Sequence, residues 1–552
     1  MMDWQRYTLM GGIAAVVLAL IFQWTEFKQV NTPAVDRTTV VRADAPTLPP
    51  EEKNAGSDVP QLKNGQTTAT ANNGGERKLI SVTTDVFEVS IDPRGGDIVK
   101  VALREYDDKL HSHTPLILLN QTREHTYIAQ SGLIGHNGTD SAKGRPLFST
   151  ASSKYAMEEG KDTLTVDLKL QQSGADIVKR YTFKRGDYLV NVSYQVNNTA
   201  AQPWTAALYG QLKRDSYEPA TDVGIGVHPF LGAAIRTPDE NYFKQKFDEI
   251  AEKPTDITIQ GGWVAMVQHY FLSAWIPPQN TNNNIVLRQL SSGLYRMGFT
   301  TPQVTIAPGQ QGELNASFYA GPKDVYRLEQ ISPYLDLTVD YGWLWFIAKP
   351  LFRILHFIQS NIVSNWGWAI ILLTVFIKAL LYPLSSAGMR SMARMRKFAP
   401  QMKKLQDQYK DNRQKLAEET MKLYRREKIN PMGGCLPILL QMPVFIALYW
   451  MLTETVELRH APWMLWIHDL SARDPYFILP VFMGCSMWFM QRLNPQPADP
   501  TQARIMQLMP VMMTFFFLWF PAGLVLYWIA NNLITITQTW YINKKVEASG
   551  KA

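Results

Sequence analysis

Cysteine is nearly missing: 552 residues carry 2, at positions 435 and 485. The stretch from about 77 to 321 has none, so no disulfide framework supports it and its stability must come from an apolar core. Catalytic signatures are missing as well. The chain has no Walker A loop, no H-E-x-x-H and no G-x-S-x-G. Nothing is therefore set up to cradle a nucleoside triphosphate, hold a catalytic zinc or present a serine nucleophile. No metal, no cofactor and no use of ATP by this chain are expected. Asp, Glu and His are absent from the apolar runs of the last third, which speaks against a proton-coupled transporter, and no inverted repeat is visible. His111, His113, His125, His136, His228 and His269 lie among acidic residues, where an acid and base pair is conceivable, but none has metal-ligand spacing.

What is present is apolar surface, with 46% hydrophobic residues, 16 Trp and 22 Met, under a mild net charge of +7. A bilayer-crossing helix needs about 18 to 25 apolar residues. "YTLMGGIAAVVLALIFQW" meets that at 7–24; a signal peptide starts the same way, but no small-x-small site follows the apolar core, which favours an uncleaved anchor. Residues 25–76, rich in Pro, Asn, Thr, Gly and charge, read as a flexible linker. From 77 to 325 the pattern alternates with period two between turn signals such as "DPRGGD" and "RGD". One large all-β sandwich is expected there.

Membrane signals return after it. At 326–361, Lys349, Arg353 and His356 fall at helical spacing on an otherwise aromatic and aliphatic segment. Such a helix would lie flat in the interface with its cations at the headgroups; a surface helix packed on the β-domain is the alternative. Spans are expected at 366–384, 434–453, 476–490, 505–519 and 523–541, within a helical core at 362–545. The last two are separated at "WFPAGL", because a single helix over 505–541 would measure about 55 Å against a hydrocarbon core of about 30 Å. Between the second and third of the six spans, 385–430 holds thirteen Lys or Arg and five acids. The positive-inside rule makes this loop cytoplasmic, and its apolar spacing predicts an antiparallel helical hairpin. Both termini, including the tail 546–552, then lie inside and the β-domain outside.

Within the second span sits Lys378. A lysine can snorkel to the headgroups, yet other polar residues share its depth: Thr374 one turn away, Gln441 in the third span, and Asn531, Thr535 and Gln538 as a stripe on the last. Polar groups in hydrocarbon must face one another or water. They predict a wet inner-leaflet cavity, or else hydrogen bonds across a dry helix interface.

"NWGWAIILLTVFIKALLYPL", "INPMGGCLPILLQMPVFIALYWML", "LWIHDLSARDPYFILPVFMG" and "LWFPAGLVLYWIANNL", with the basic hairpin, closely resemble the YidC/Oxa/Alb family of membrane protein insertases. The anchor, linker and β-domain resemble its Gram-negative form. That resemblance implies a β-supersandwich in the periplasm joined to a six-span inner-membrane bundle. It also implies a hydrophilic groove around Lys378, where many members carry arginine, with Tyr527 and Trp528 beside it. Expected partners are nascent membrane proteins, the ribosome, the Sec translocon and anionic lipids, but not DNA; Arg394, Arg396, Lys397, Lys403, Lys404, Lys544 and Lys545 are the expected ribosome or lipid contacts. A non-enzymatic insertase is the function implied. A transporter, or a membrane-anchored carbohydrate enzyme, would be the alternatives from residues alone.

Overall fold

The computed structural model describes residues 59–60, 78–141, 144–172, 174–219, 229–409, 412–426, 436–493 and 500–549. The expected first span at 7–24, Cys435 and His228 lie outside them.

Two large sheets form the β-domain. One has eleven strands, running from Thr255–Gln260 at one edge through Trp204–Arg214 and Thr126–Ile134 to Ile80–Thr83 and Lys154–Ala156. The other has nine, with Gln311–Pro322 and Leu189–Asn198 near its centre. The alternation in "LVNVSYQVNN" becomes alternating burial: Val190, Val192, Tyr194 and Val196 point inward, while Asn191, Ser193 and Gln195 point out. Because side chains on a strand alternate faces, one strand can seal a core and meet water at once. Trp204, Trp263, Trp275, Phe183, Phe299 and Phe318 fill the space between. Contrary to the coreless linker expected at 25–76, Val59 is buried against Ile134, Ala207 and Tyr209. One branched side chain is enough to occupy a gap beside paired strands, and composition averaged over fifty residues hides it.

Eleven described α-helices follow in chain order: α1 (Phe247–Glu252), α2 (Val325–Ile331), α3 (Trp345–Asn361), α4 (Trp366–Leu380), α5 (Tyr382–Lys397), α6 (Ala399–Gln408), α7 (Arg413–Arg426), α8 (Leu436–Glu454), α9 (Ile478–Leu493), α10 (Pro500–Phe517) and α11 (Ala522–Ser549). Among the described residues no single helix is by itself long and apolar enough to cross a membrane; α4 with Tyr382–Arg396 passes as a pair bent by 71°. The expected second span at 366–384 is therefore not one straight helix. Pro383 has no N–H and fits only the first turn of a helix, so α4 stops at Leu380 and α5 starts anew at Tyr382 with Pro383 in its first turn. Asn365 caps the other end of α4, accepting from the Gly367 and Trp368 amides at 3.0 and 3.2 Å.

The break between α10 and α11 does fall in "WFPAGL". Here the Ala522 and Gly523 amides donate to the Ala472 and Leu470 carbonyls at 2.7 and 2.9 Å. Helices α6 and α7 pair as a hairpin around half-buried or buried Phe398, Met402, Leu405, Leu416 and Leu423. Helix α3 departs from expectation. Its Ala348, Leu351, Phe352, Leu355 and Ile358 are buried, and Lys349 bonds Glu329 and Asp336 at 2.7 and 2.8 Å while Arg353 reaches Glu329. The His356 ring lies against Tyr326 and Trp366. Lys349 is thus held by carboxylates of the protein rather than free for headgroups, while Arg353 stays more than half exposed, and the exposed aromatics of α3 are Trp345, Phe346 and Phe357.

Candidate functional site at Lys378

The break after Leu380 puts Lys378 in the last turn of α4, where the partial negative charge of a helix C-terminus favours a cation. Lys378 is 7% exposed, and its side chain turns inward to the neighbouring helices. The ammonium donates to Gln441 Oε1 of α8 at 3.2 Å and to Thr535 Oγ1 of α11 at 3.0 Å. Gln441 in turn donates to Asn531 Oδ1 and, at 3.4 Å, to the Tyr527 hydroxyl. Thr535 also donates to its own Asn531 carbonyl at 2.6 Å. Three helices thus meet in one polar chain. No described carboxylate pairs with Lys378.

Not all of the expected residues join it. Thr374 is buried, but its hydroxyl turns back to the Ile370 carbonyl at 2.7 Å, the local bond that satisfies a hydroxyl inside a helix. Gln538 stands one turn beyond Thr535, with Oε1 buried and unpartnered. Trp528 is edge-on to Phe445 with centroids at 4.6 Å and lies 5.2 Å from the Phe517 ring, its indole N–H unpartnered. Arg394, Arg396, Lys404, Lys544 and Lys545 are exposed, and Lys544 lies 5.4 Å from the Trp540 ring; the Lys397 and Lys403 side chains lie outside the described residues.

Two connections were missed from sequence. Asn532 donates to Ser486 Oγ at 3.0 Å, joining α11 to α9. Its signal was present, since residues one apart on a helix face about 100° apart, so Asn531 and Asn532 cannot serve the same neighbour. The other is a buried ion pair, Lys323 Nζ to Glu454 Oε2 at 2.6 Å, between the end of the last strand and the end of α8. Nearby, His269 Nε2 donates to the Thr453 carbonyl at 2.9 Å. Burial, then the Lys323 charge, pushes this imidazole down to about 3, so it is neutral. Of the other described histidines, His125 meets Asp215 at 3.4 Å and His460 meets Asp469 at 3.9 Å.

Residues 79–354 match the family described as YidC periplasmic domain, and 357–549 the family described as 60Kd inner membrane protein. A membrane protein insertase YidC from Cellvibrio japonicus is 53% identical, covering 100% of both chains. The chain belongs to the YidC family of membrane protein insertases. Another YidC relative, from Stutzerimonas stutzeri, is 49% identical with both chains fully covered. Among solved structures, an active YidC insertase with its first transmembrane domain resolved is 18% identical, covering 86% of this chain and 94% of that one at a TM-score of 0.38. A galactose mutarotase-like protein from Lactobacillus casei is 10% identical, covering 44% and 100%, at a TM-score of 0.30. The first match takes in every described strand and the second the helices after α3, with the boundary between them falling inside α3.

Proposed function

We propose that the chain inserts nascent membrane proteins into the inner membrane, with Lys378 receiving acidic residues of the segment that must cross. One observation carries this: a buried ammonium held by two neutral side-chain acceptors and by no described carboxylate. Gln441 and Thr535 can rotate away, because their bonds to Lys378 are made by side chains rather than backbone. A client carboxylate would replace them, exchanging neutral acceptors for a charged one at a site where screening by water is weak. The polar row along α8 and α11 shortens the hydrocarbon path of the crossing stretch. Each uncompensated polar group moved through hydrocarbon unaided costs several kcal/mol. The client's apolar helix then leaves into lipid, driven by burial at about 25 cal/mol per Å².

In this proposal both termini and the α6–α7 hairpin are cytoplasmic, and the basic residues of α5 to α7 and Lys544 and Lys545 meet the ribosome or anionic lipid. Insertion proceeds alone or with the Sec translocon as partner. The chain performs no chemistry of its own. Lys378→Arg should preserve insertion, whereas Lys378→Ala and Lys378→Glu should lose clients with acidic crossing segments. Insertion assays on two clients differing in one translocated aspartate read this directly. Equal loss for both would leave Lys378 as a structural wedge; no loss for either would end the proposal.

A further inference from the structure

The β-domain is fixed to the helical part at one end of α8. Lys323 follows directly on strand Gln311–Pro322 and meets Glu454, the last residue of α8, with side chains only 2% and 7% exposed. His269, in the turn between strands Val264–Val267 and Phe271–Ile276, holds the Thr453 carbonyl. Just beyond, Arg459 donates to the Asp107 and Asp108 carbonyls at 2.7 and 2.9 Å, and its guanidinium lies 5.7 Å from the Phe271 ring. Both sheets therefore contribute: strand Asp97–Asp107 belongs to the eleven-stranded sheet, and Gln311–Pro322 to the nine-stranded one. A helix gripped at its last turn has its axis and rotation set there. Gln441 lies thirteen residues back on the same helix, about 20 Å away at 1.5 Å per residue. It is the residue through which α8 reaches Lys378 and Asn531.

We infer that Lys323, Glu454 and His269 are positioning residues: the β-domain holds α8 by its end and thereby holds Gln441 against Lys378 and Asn531. A rotation of α8 by one residue's angle, about 100°, would take Gln441 off the Lys378 side altogether. A buried ion pair suits this use, since loss of either partner leaves a buried charge uncompensated and the contact has no relaxed alternative. The link to insertion rests on the function proposed for Lys378; the positioning itself does not.

The test is a distance measured between spin labels at Met442→Cys of α8 and Val375→Cys of α4, both exposed positions. The full chain would be used in lipid nanodiscs, with Cys435 and Cys485 replaced by serine. The parent should give one narrow distance distribution, and Lys323→Ala a broadened or displaced one. The swapped pair Lys323→Glu with Glu454→Lys should restore it. If Lys323→Ala does not accumulate, Glu454→Gln, which keeps the shape of the side chain, takes its place. An unchanged distribution in a folded single variant overturns the inference, as does a swap that leaves the distribution broad. Insertion of an aspartate-bearing client should fall at least tenfold in Lys323→Ala and return in the swap. Should the distance move while insertion of every client stays normal, the positioning stands and the function proposed for Lys378 fails.

Discussion

Lys179 and Lys378 are both buried lysines, one in each half of the molecule, and they are held in opposite ways. Lys179 is fully covered between the sheets, its ammonium donating to the Gly95, Gly96 and Ser131 carbonyls at 2.9, 2.9 and 3.1 Å. Asp97, Asp140 and Arg145 surround it, and the Tyr181 and Tyr194 rings lie 5.2 and 5.4 Å away. Burial pushes it down to about 7, yet three carbonyl acceptors call for three N–H donors, so the geometry holds the ammonium form. Gly96 sits so close, with φ at +64°, that a Cβ there would meet Lys179 Nζ at 3.1 Å. Every acceptor is main chain and cannot leave. Lys378 has two side-chain acceptors and no described counter-charge. The first arrangement fixes a fold, while the second can exchange partners.

The surroundings differ in the same sense. Between the sheets apolar side chains face in and polar ones face out. In the helical part Phe482, Val511, Phe515 and Leu508 are exposed, while Lys378, Thr374 and Asn532 are buried. An apolar exterior around a polar seam is what a lipid solvent selects.

The largest effect should come from breaking the fixed lysine. Lys179→Met leaves three buried carbonyls and two carboxylates with reduced compensation, which should destabilise the β-domain by about 3 kcal/mol or more. Thermal denaturation should show a fall on the order of 10 °C, with no preference among clients. A variant as stable as the parent would remove the structural half of the comparison.

A smaller effect concerns Glu457, in the short turn Val456–Leu458 after α8. Burial, then the Asp324 charge, raises its carboxyl to about 7. A raised acid binds its proton more tightly in the folded protein. The resulting stability is full below the ordinary carboxylate range near 4.5 and is lost as pH rises through about 7. Melting temperature between pH 5 and pH 8 should fall in the parent and fall less in Glu457→Gln. Equal slopes would show that this group does not titrate at the junction.

The smallest is Thr535→Val. It removes one of the two acceptors of Lys378 and should cost about 1 kcal/mol in stability, because Gln441 remains. It should also sharpen the preference for acidic clients, since the ammonium has less to give up; a weaker preference would contradict partner exchange.

Which parts were legible follows from what periodicity carries. The strands could be read because residues such as Val190 to Val196 declare two faces, and the helices because their apolar runs are long. The polar residues that meet at Lys378 were legible individually, since a lysine, a glutamine and a threonine in hydrocarbon each need a partner. Periodicity tells that a face is covered, but not by what. It could not show that Lys349 meets Glu329 and Asp336 rather than headgroups, or that Lys323 finds Glu454 across 131 residues of chain. The break at Leu381 was available in Pro383, but apolarity continued through Leu384 and concealed it.

In the function proposed, the Lys378 ammonium takes a client carboxylate in place of Gln441 and Thr535. Carbodiimide coupling joins an amine to a carboxylate only when they touch, so it can be applied to a ribosome-bound client arrested with one aspartate in its crossing segment. An amide between Lys378 and that aspartate is expected, identified by peptide mass, and none for the matched asparagine client. An aspartate that couples only to other lysines, or to none, while the client still inserts at the parent rate, would contradict it.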